Sequence, residues 1–574
     1  MLGLPSLGSL WNRSKIEPVI ICGKEIPVLT RFQALAGDCS KLSHATLKWV
    51  CKAFDTYGLA SDHPFAQKVM KTLIKTKVQR EKIDHTDSSA ISEEPIVKQG
   101  LLTIKEMIAK IEKEGATWTA VHINNANDEL FCALQQSCPN LETLRFIARE
   151  DAILMDLSDA SVPIIAKMTK LKRFDYRAWN AFQGISQFDT LLSTPIFQTQ
   201  MVEVNLMSPY IADTLIPILS KYTSLESLSL WTCGMPATSI AAIVLPKTLK
   251  VLSLINSNAF PGAFISDALL VNIAKSTQLK SLNLAGVSNS TDTQMQATIN
   301  ALINLTSFSM QGPQLSTVSL LSLPNTLLNL NLSDCTLIDS DTFDTFFSMK
   351  KSLVSVTLQL ANGFTDAQIK SLPPLKHFYV ESSWFLHLNG FPTSLESLAI
   401  SGLTWINPSA FKGLANLPLK TLRLLGCSTF NNEAFNTLMN GAIVSTLEIF
   451  ESYGGAFTAK AVGNFELMPN LKMLMLGQCY SFGLKGIEKL FTSNTLASRI
   501  THLYFDSAEI HKEMIPYLNN WNKLRVIFVG NTLELPFEAG NKALCRIEPI
   551  KEHNGDLMIW GGEPFSYDTF IHAI

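Results

Sequence analysis

The side chains in this chain that could carry covalent or metal chemistry are its 10 cysteines and 10 histidines. The cysteines are Cys22, Cys39, Cys51, Cys132, Cys138, Cys233, Cys335, Cys427, Cys479 and Cys545. None forms a C-x-x-C pair, the spacing that would clip a zinc ion or make a redox dithiol. Cys233, Cys335, Cys427 and Cys479 are far apart in sequence, which argues against a shared metal. His377, His387 and His502 have no acidic or thiol partner at a usable spacing. Metalloprotease H-E-x-x-H, esterase G-x-S-x-G and phosphate-cradling G-x-x-x-x-G-K-[ST] are all missing. The expectation is a chain that is not an enzyme and has no catalytic residue, cofactor or metal.

Those four cysteines have another regularity. Each closes a nine-residue frame with apolar residues at the first, fourth and sixth places: LESLSLWTC at Leu225–Cys233, LLNLNLSDC at Leu327–Cys335, LKTLRLLGC at Leu419–Cys427 and LKMLMLGQC at Leu471–Cys479. Scanning for the same three apolar places gives 17 starts: Trp118, Leu141, Leu171, Met201, Leu225, Leu249, Leu279, Leu305, Leu327, Leu353, Leu375, Leu395, Leu419, Val444, Leu471, Ile500 and Leu524. The mean period is about 25 residues, within the range of short stacked repeats. The frame resembles the leucine-rich-repeat signature L-x-x-L-x-L-x-x-N/C-x-L. That resemblance implies an α/β solenoid, a horseshoe of parallel strands. The first, fourth and sixth side chains would stack inward, and the ninth-place thiol would turn in to satisfy backbone at the bend. Long intervals such as Ser266–Lys275 have helical spacing, whereas Glu381–Thr393 has room only for a turn. Cys335-Thr-Leu-Ile-Asp-Ser-Asp also resembles the cysteine-containing subclass of these repeats, C-x-x-[IL]-[TS]-D, which commonly follows an F-box.

Composition fits a repeat array with a long core. Of 574 residues, 47% are hydrophobic and 17% charged, which is no disordered signature. The 47 basic and 49 acidic residues leave a net charge of −2, so neither nucleic acid nor an anionic membrane is expected as a partner. No signal peptide or uninterrupted apolar span of membrane length is read. Unpaired cysteines point to a reducing, cytoplasmic setting, which would be the host cytosol for a secreted effector.

Ahead of the repeats, residues 1–18 read as a flexible tail and 19–83 as a small mainly helical domain with a strand or short hairpin around Gly23. Residues 84–98 are polar and aperiodic, a linker, and 99–114 form an amphipathic helix that would cap the first repeat of the 115–535 array. Residues 536–574 would cap the last repeat through Leu557, Ile559 and Trp560. Ile26-Pro27, Val50-Cys51-Lys52, Phe54 and Leu59-Ala60-Ser61-Asp62 resemble a degenerate F-box. The departures are Ile26 for Leu, Phe54 for Trp, and His63 before Pro64. The opening VIICGKEIPVLTRF also resembles the first strands of a BTB domain. Both resemblances imply docking to a cullin-type ubiquitin-ligase adaptor, through Ile26, Pro27, Val50, Cys51 and Phe54 for the F-box.

Specificity would sit on the concave face, at the second, third, fifth and seventh places. Its middle is small and polar, with Asn205, Ser229, Ser253, Asn283, Ser309 and Asn331 at fifth places. The C-terminal third turns aromatic and charged. There, Tyr379, Arg423, Glu448, Tyr504 and Phe528 at fifth places and Phe450 at a seventh form the expected protein-binding surface, with Trp231 within reach. A second candidate patch is Arg145, Arg173, Arg177 and Trp179 near the N-terminal end, where a solvated rim is the favoured reading. The expected function is a protein-binding scaffold: a substrate receptor of a ubiquitin-ligase type complex, with the substrate on the concave face. The alternative is an inhibitor or structural protein that wraps its partner without a ubiquitin role.

Overall fold

The computed structural model divides into two units, residues 1–96 with 258–261, and 97–257 with 262–574. It describes residues 20–21, 24–25, 104–123, 126–147, 158–177, 187–208, 215–232, 243–256, 265–285 and 287–312. Beyond these it describes 315–335, 338–359, 364–381, 387–403, 406–505, 517, 520–521, 523–524, 526–529 and 557–558. In the first unit the described residues form one antiparallel pairing, Ile20 with Glu25 and Ile21 with Lys24, on either side of Cys22-Gly23.

The second unit is built on one parallel sheet. Its strands follow in chain order from Ala120–Ile123 through Val526–Val529, each hydrogen-bonded to the next repeat's strand. The sheet is open: among the described residues, no pairing closes it onto the last of these strands. Each strand begins two residues after a repeat's first apolar residue, so equivalent places pair without a slip. Leu228 faces Leu252, Leu330 faces Val356, and Phe378 faces Leu398. Fourth- and sixth-place side chains point to one side of the sheet, because side chains alternate along a strand. Leu228, Leu252, Leu398, Leu422, Leu254, Leu332 and Leu358 are all within 1% of complete burial there. Each contributes about 1.5–3 kcal/mol by leaving water.

One expected frame is corrected. The repeat expected at Val444 begins instead at Leu447, three residues later. Its strand is Ile449–Tyr453, with Phe450 opposite Leu422 and Glu451 opposite Arg423. The entry hydrogen bonds agree: Glu448 N and Ile449 N both donate to Lys420 O, at 2.8 and 2.9 Å. Glu226 and Ser227 do the same to Val202 O in an earlier repeat. A hydroxyl just before the first place marks the frame too. Thr248, Thr326, Ser394 and Thr446 donate to the first-place carbonyls of Leu225, Leu305, Leu375 and Leu419, at 2.6–2.8 Å.

The strands exit through a left-handed eighth place. Gly312, Asp334, Gly402, Gly426, Gly454 and Gln478 all have positive φ. Gly402 N, Gly426 N and Gly454 N each donate at 2.8 Å to the next repeat's seventh-place carbonyl. Glycine adopts this conformation without a Cβ penalty. The chain then returns over the buried side as helices where length allows. Asp267–Ala274 is capped by Ser266, whose side chain accepts from Leu269 N. Residues 387–392, in the short interval, carry no helix. The amphipathic helix Ile104–Glu114 covers the first repeat, burying Met107 and Ile111 next to Asp128–Ser137. At the other end, Leu557–Met558 pair in parallel with Val121–His122 of the first strand, while Ile559 and Trp560 lie outside the described residues. Among the described residues, no helix is long and apolar enough to cross a membrane.

Candidate functional site

The face of the sheet opposite the core is lined by third-, fifth- and seventh-place side chains. Its fifth places form a continuous row toward the C-terminal end: Tyr379, Ala399, Arg423, Glu451, Met475, Tyr504 and Phe528, each registered with the next. Tyr379 and Tyr504 are half-buried at either side. Ala399 and Met475 are buried, so the row between the tyrosines is low and close-packed. Phe528 lies on the last strand of this row.

The corrected register changes two expected site residues. Phe450 occupies a fourth place, not a seventh, and is fully buried in the core. Its ring centroid lies 5.4 Å from Phe435, 5.7 Å from Phe465 and 5.9 Å from Phe430. Glu448 occupies a second place at the strand entry and pairs with Lys472 at 2.7 Å. It belongs to a rim of alternating charge in which Glu396 meets Lys376 at 3.3 Å and Lys420 at 2.8 Å. Hydrogen bonds from Lys420 and Lys376 hold the Glu396 carboxyl below its usual range.

The fifth-place acid is Glu451, which sequence reading missed. Its carboxylate lies 3.4 Å from Arg423 Nε, and the two side chains are only 5% and 15% exposed. On a face otherwise open to solvent, an ion pair this deep is costly to separate, because water cannot replace the lost partner. Beside it the Tyr453 ring lies over Gly477, where a Cβ would come within 2.3 Å of Tyr453 Cδ2. Arg423 and the two tyrosines are the residue types that anchor protein interfaces.

Near the N-terminal end, Arg145 and Asp175 are fifth-place neighbours. Asp175 is buried and takes a two-pronged contact from Arg177, at 2.9 and 3.0 Å. Arg173 approaches Glu203 at 3.8 Å. Trp231 lies two repeats further on, half-exposed at a seventh place. Trp179 and the expected adaptor-docking residues Ile26, Pro27, Val50, Cys51 and Phe54 lie outside the described residues.

His502 Nδ1 is 2.8 Å from Thr501 Oγ1, and His377 is exposed at a third place. Among the described residues, no three His, Cys, Asp or Glu side chains gather as a metal site. The ninth-place thiols of Cys335, Cys427 and Cys479 donate to the preceding repeat's sixth-place carbonyls, at Met310, Ile400 and Ser452, over 3.8, 3.7 and 3.3 Å. Cys233 lies outside the described residues. Burial pushes the Cys335 and Cys427 thiols up to about 12 and that of Cys479 to about 11. The thiolate is the reactive form, so iodoacetamide should leave Cys335 and Cys427 unmodified in the folded chain and alkylate both in denaturant. Peptide mapping by mass spectrometry reads this. Native alkylation at the rate of a free thiol would contradict their inward placement.

No protein-family profile matches this chain, and no curated protein matches it. Solved structures do. A yeast complex of Rad7 and Elc1 is similar over 69% of this chain and 95% of that one, at 16% identity and a TM-score of 0.36. A TLR13–ssRNA13 complex is similar over 72% of this chain at 17% identity and 0.37, and the match spans 58% of that chain. An internalin from Listeria monocytogenes is similar over 74% and 88%, at 12% identity and 0.28. The chain itself has one parallel strand per repeat, inward first, fourth and sixth places, and a left-handed eighth place. The fold is a leucine-rich-repeat solenoid. In such a solenoid the buried side holds the stack together, and the opposite face is free to vary from repeat to repeat.

Proposed function

We propose that this leucine-rich-repeat chain is a protein-binding scaffold that holds its target against the fifth-place row from Tyr379 to Tyr504. The observation behind this reading is the row itself, with two half-buried tyrosines flanking a close-packed Arg423–Glu451 pair. The finer reading is a substrate receptor. Residues 19–83 dock a ubiquitin-ligase adaptor through Ile26, Pro27, Val50, Cys51 and Phe54, on the strength of their F-box resemblance, and the repeats present the substrate.

Affinity purification of the full chain followed by mass spectrometry tests both parts. Tyr379→Ala/Tyr504→Ala is expected to lose the target and keep the adaptor, with a drop of at least about tenfold for anchors of this type. Val50→Ala/Phe54→Ala is expected to do the reverse. An unchanged target in the first variant overturns the binding row. A wild-type chain that recovers its target but no cullin-type adaptor overturns the receptor reading, leaving an inhibitor or structural scaffold.

A further inference from the structure

Apart from that row, we propose that the face from Thr143 to Asn256 docks an acidic amphipathic helix of a protein partner. The seventh places of four consecutive repeats are Arg177, Met207, Trp231 and Ile255, each registered with the next. All four are at least partly exposed. In the repeats that follow, the same places hold Ala285, Gln311, Ser333 and Gln359, so this stripe ends at Ile255, and apolar seventh places return only at Leu425 and Tyr453. Tryptophan, methionine and arginine are the side chains enriched at the centres of protein interfaces.

Charge on the same face selects the partner. Arg145 meets no hydrogen-bond or ion-pair partner among the described residues. Arg173 is 51% exposed and only 3.8 Å from Glu203, whose other oxygen takes a hydrogen bond from Asn205 at 2.8 Å. The acids at the neighbouring strand positions are already held, Asp175 by Arg177, Glu142 by Lys172 and Glu226 by Lys250. The face therefore keeps a surplus of positive charge beside its apolar stripe, which a partner carrying carboxylates on one flank and apolar side chains on the other complements.

Spacing selects a helix. Neighbouring strands lie about 4.8 Å apart, so the stripe offers one anchor per 4.8 Å. A helix laid across the strands brings a side chain to the same face every three or four residues, a rise of about 4.5–6 Å. It keeps step with the repeats. An extended segment returns to one face only every ~6.7 Å and falls out of step within two or three strands.

Fluorescence anisotropy on the full chain tests this, using a labelled designed peptide of about 15 residues with leucine at i, i+3 and i+4 places and glutamate elsewhere. Saturable binding that weakens with added salt is expected, falling at least about tenfold in Arg145→Glu and in Trp231→Ala. Lys489→Ala, exposed on the helix Gly483–Phe491 away from both surfaces, should bind as the wild type does. No saturable binding, or equal binding by Arg145→Glu and Trp231→Ala, overturns the proposal. So does equal binding of a scrambled peptide of the same composition, or tighter binding of a single-stranded oligonucleotide, since either would make the face a polyanion site. Because the purification experiment reads Tyr379 and Tyr504, the two surfaces fail independently.

Discussion

Phe450→Ala is expected to lower the stability of the repeat unit by about 3–5 kcal/mol, the cost of removing a buried aromatic ring and leaving a cavity. The ring is fully buried between the fourth-place leucines Leu422 and Leu474. It stacks nearly parallel to Phe435, at 12°, in a cluster that includes Phe411, Phe430, Phe457 and Phe465. These neighbours come from strands and helices tied into adjacent repeats, so they cannot close in to fill the space. The half-exposed third-place neighbour gives the contrast: Ile449→Ala should cost no more than about 1 kcal/mol. Urea denaturation reads both, as a shift of midpoint at unchanged slope. If the costs came out reversed, the strand would be in the other register, and Phe450 would face the solvent side as its sequence frame suggested.

That frame shows how far the sequence could be read. Leucines at first, fourth and sixth places announce themselves because burial demands apolar residues at a fixed spacing, and every expected repeat start lies at or close before a strand of the sheet. The frame fails at Val444 because Val444, Leu447 and Ile449 satisfy the template, while the true sixth place holds Ser452. Ser452 is fully buried, and a Cβ at Gly455 would lie 2.5 Å from its hydroxyl and 2.6 Å from the Phe457 ring. Two small residues replace the usual leucine and cysteine, leaving room for Phe457. Local signals for the right frame were present. Thr446-Leu447-Glu448 repeats Ser224-Leu225-Glu226 and Ser394-Leu395-Glu396, and Gly454 stands at the left-handed eighth place. The open face was legible as a set of places but not as a set of charges. Whether an arginine is free or already compensated depends on its cross-strand neighbour a whole repeat away, as with Arg423 and Glu451. One misread frame placed Glu448 in the binding row and hid Glu451.

Arg423→Met is the second large effect, and it separates the stability of the row from its recognition. Removing the guanidinium leaves the Glu451 carboxylate, 5% exposed, without the cation now 3.4 Å away. Removing one partner of a buried ion pair costs about 3–5 kcal/mol, far more than an exposed pair, which contributes about 0–1 kcal/mol. Adding Glu451→Leu to Arg423→Met removes the stranded charge and should restore stability to within about 1 kcal/mol of the wild type, since apolar replacement of a buried pair is near neutral. A double-mutant cycle by urea denaturation gives the coupling directly. Coupling near zero would mean that water reaches both side chains and that the pair is an ordinary surface contact. With the expected coupling, the stable double variant becomes the useful reagent. It keeps the repeats folded and Tyr379 and Tyr504 in place but presents no charge between them. Loss of the target by that variant would then come from recognition by Arg423 and Glu451, not from unfolding of the strands that carry them.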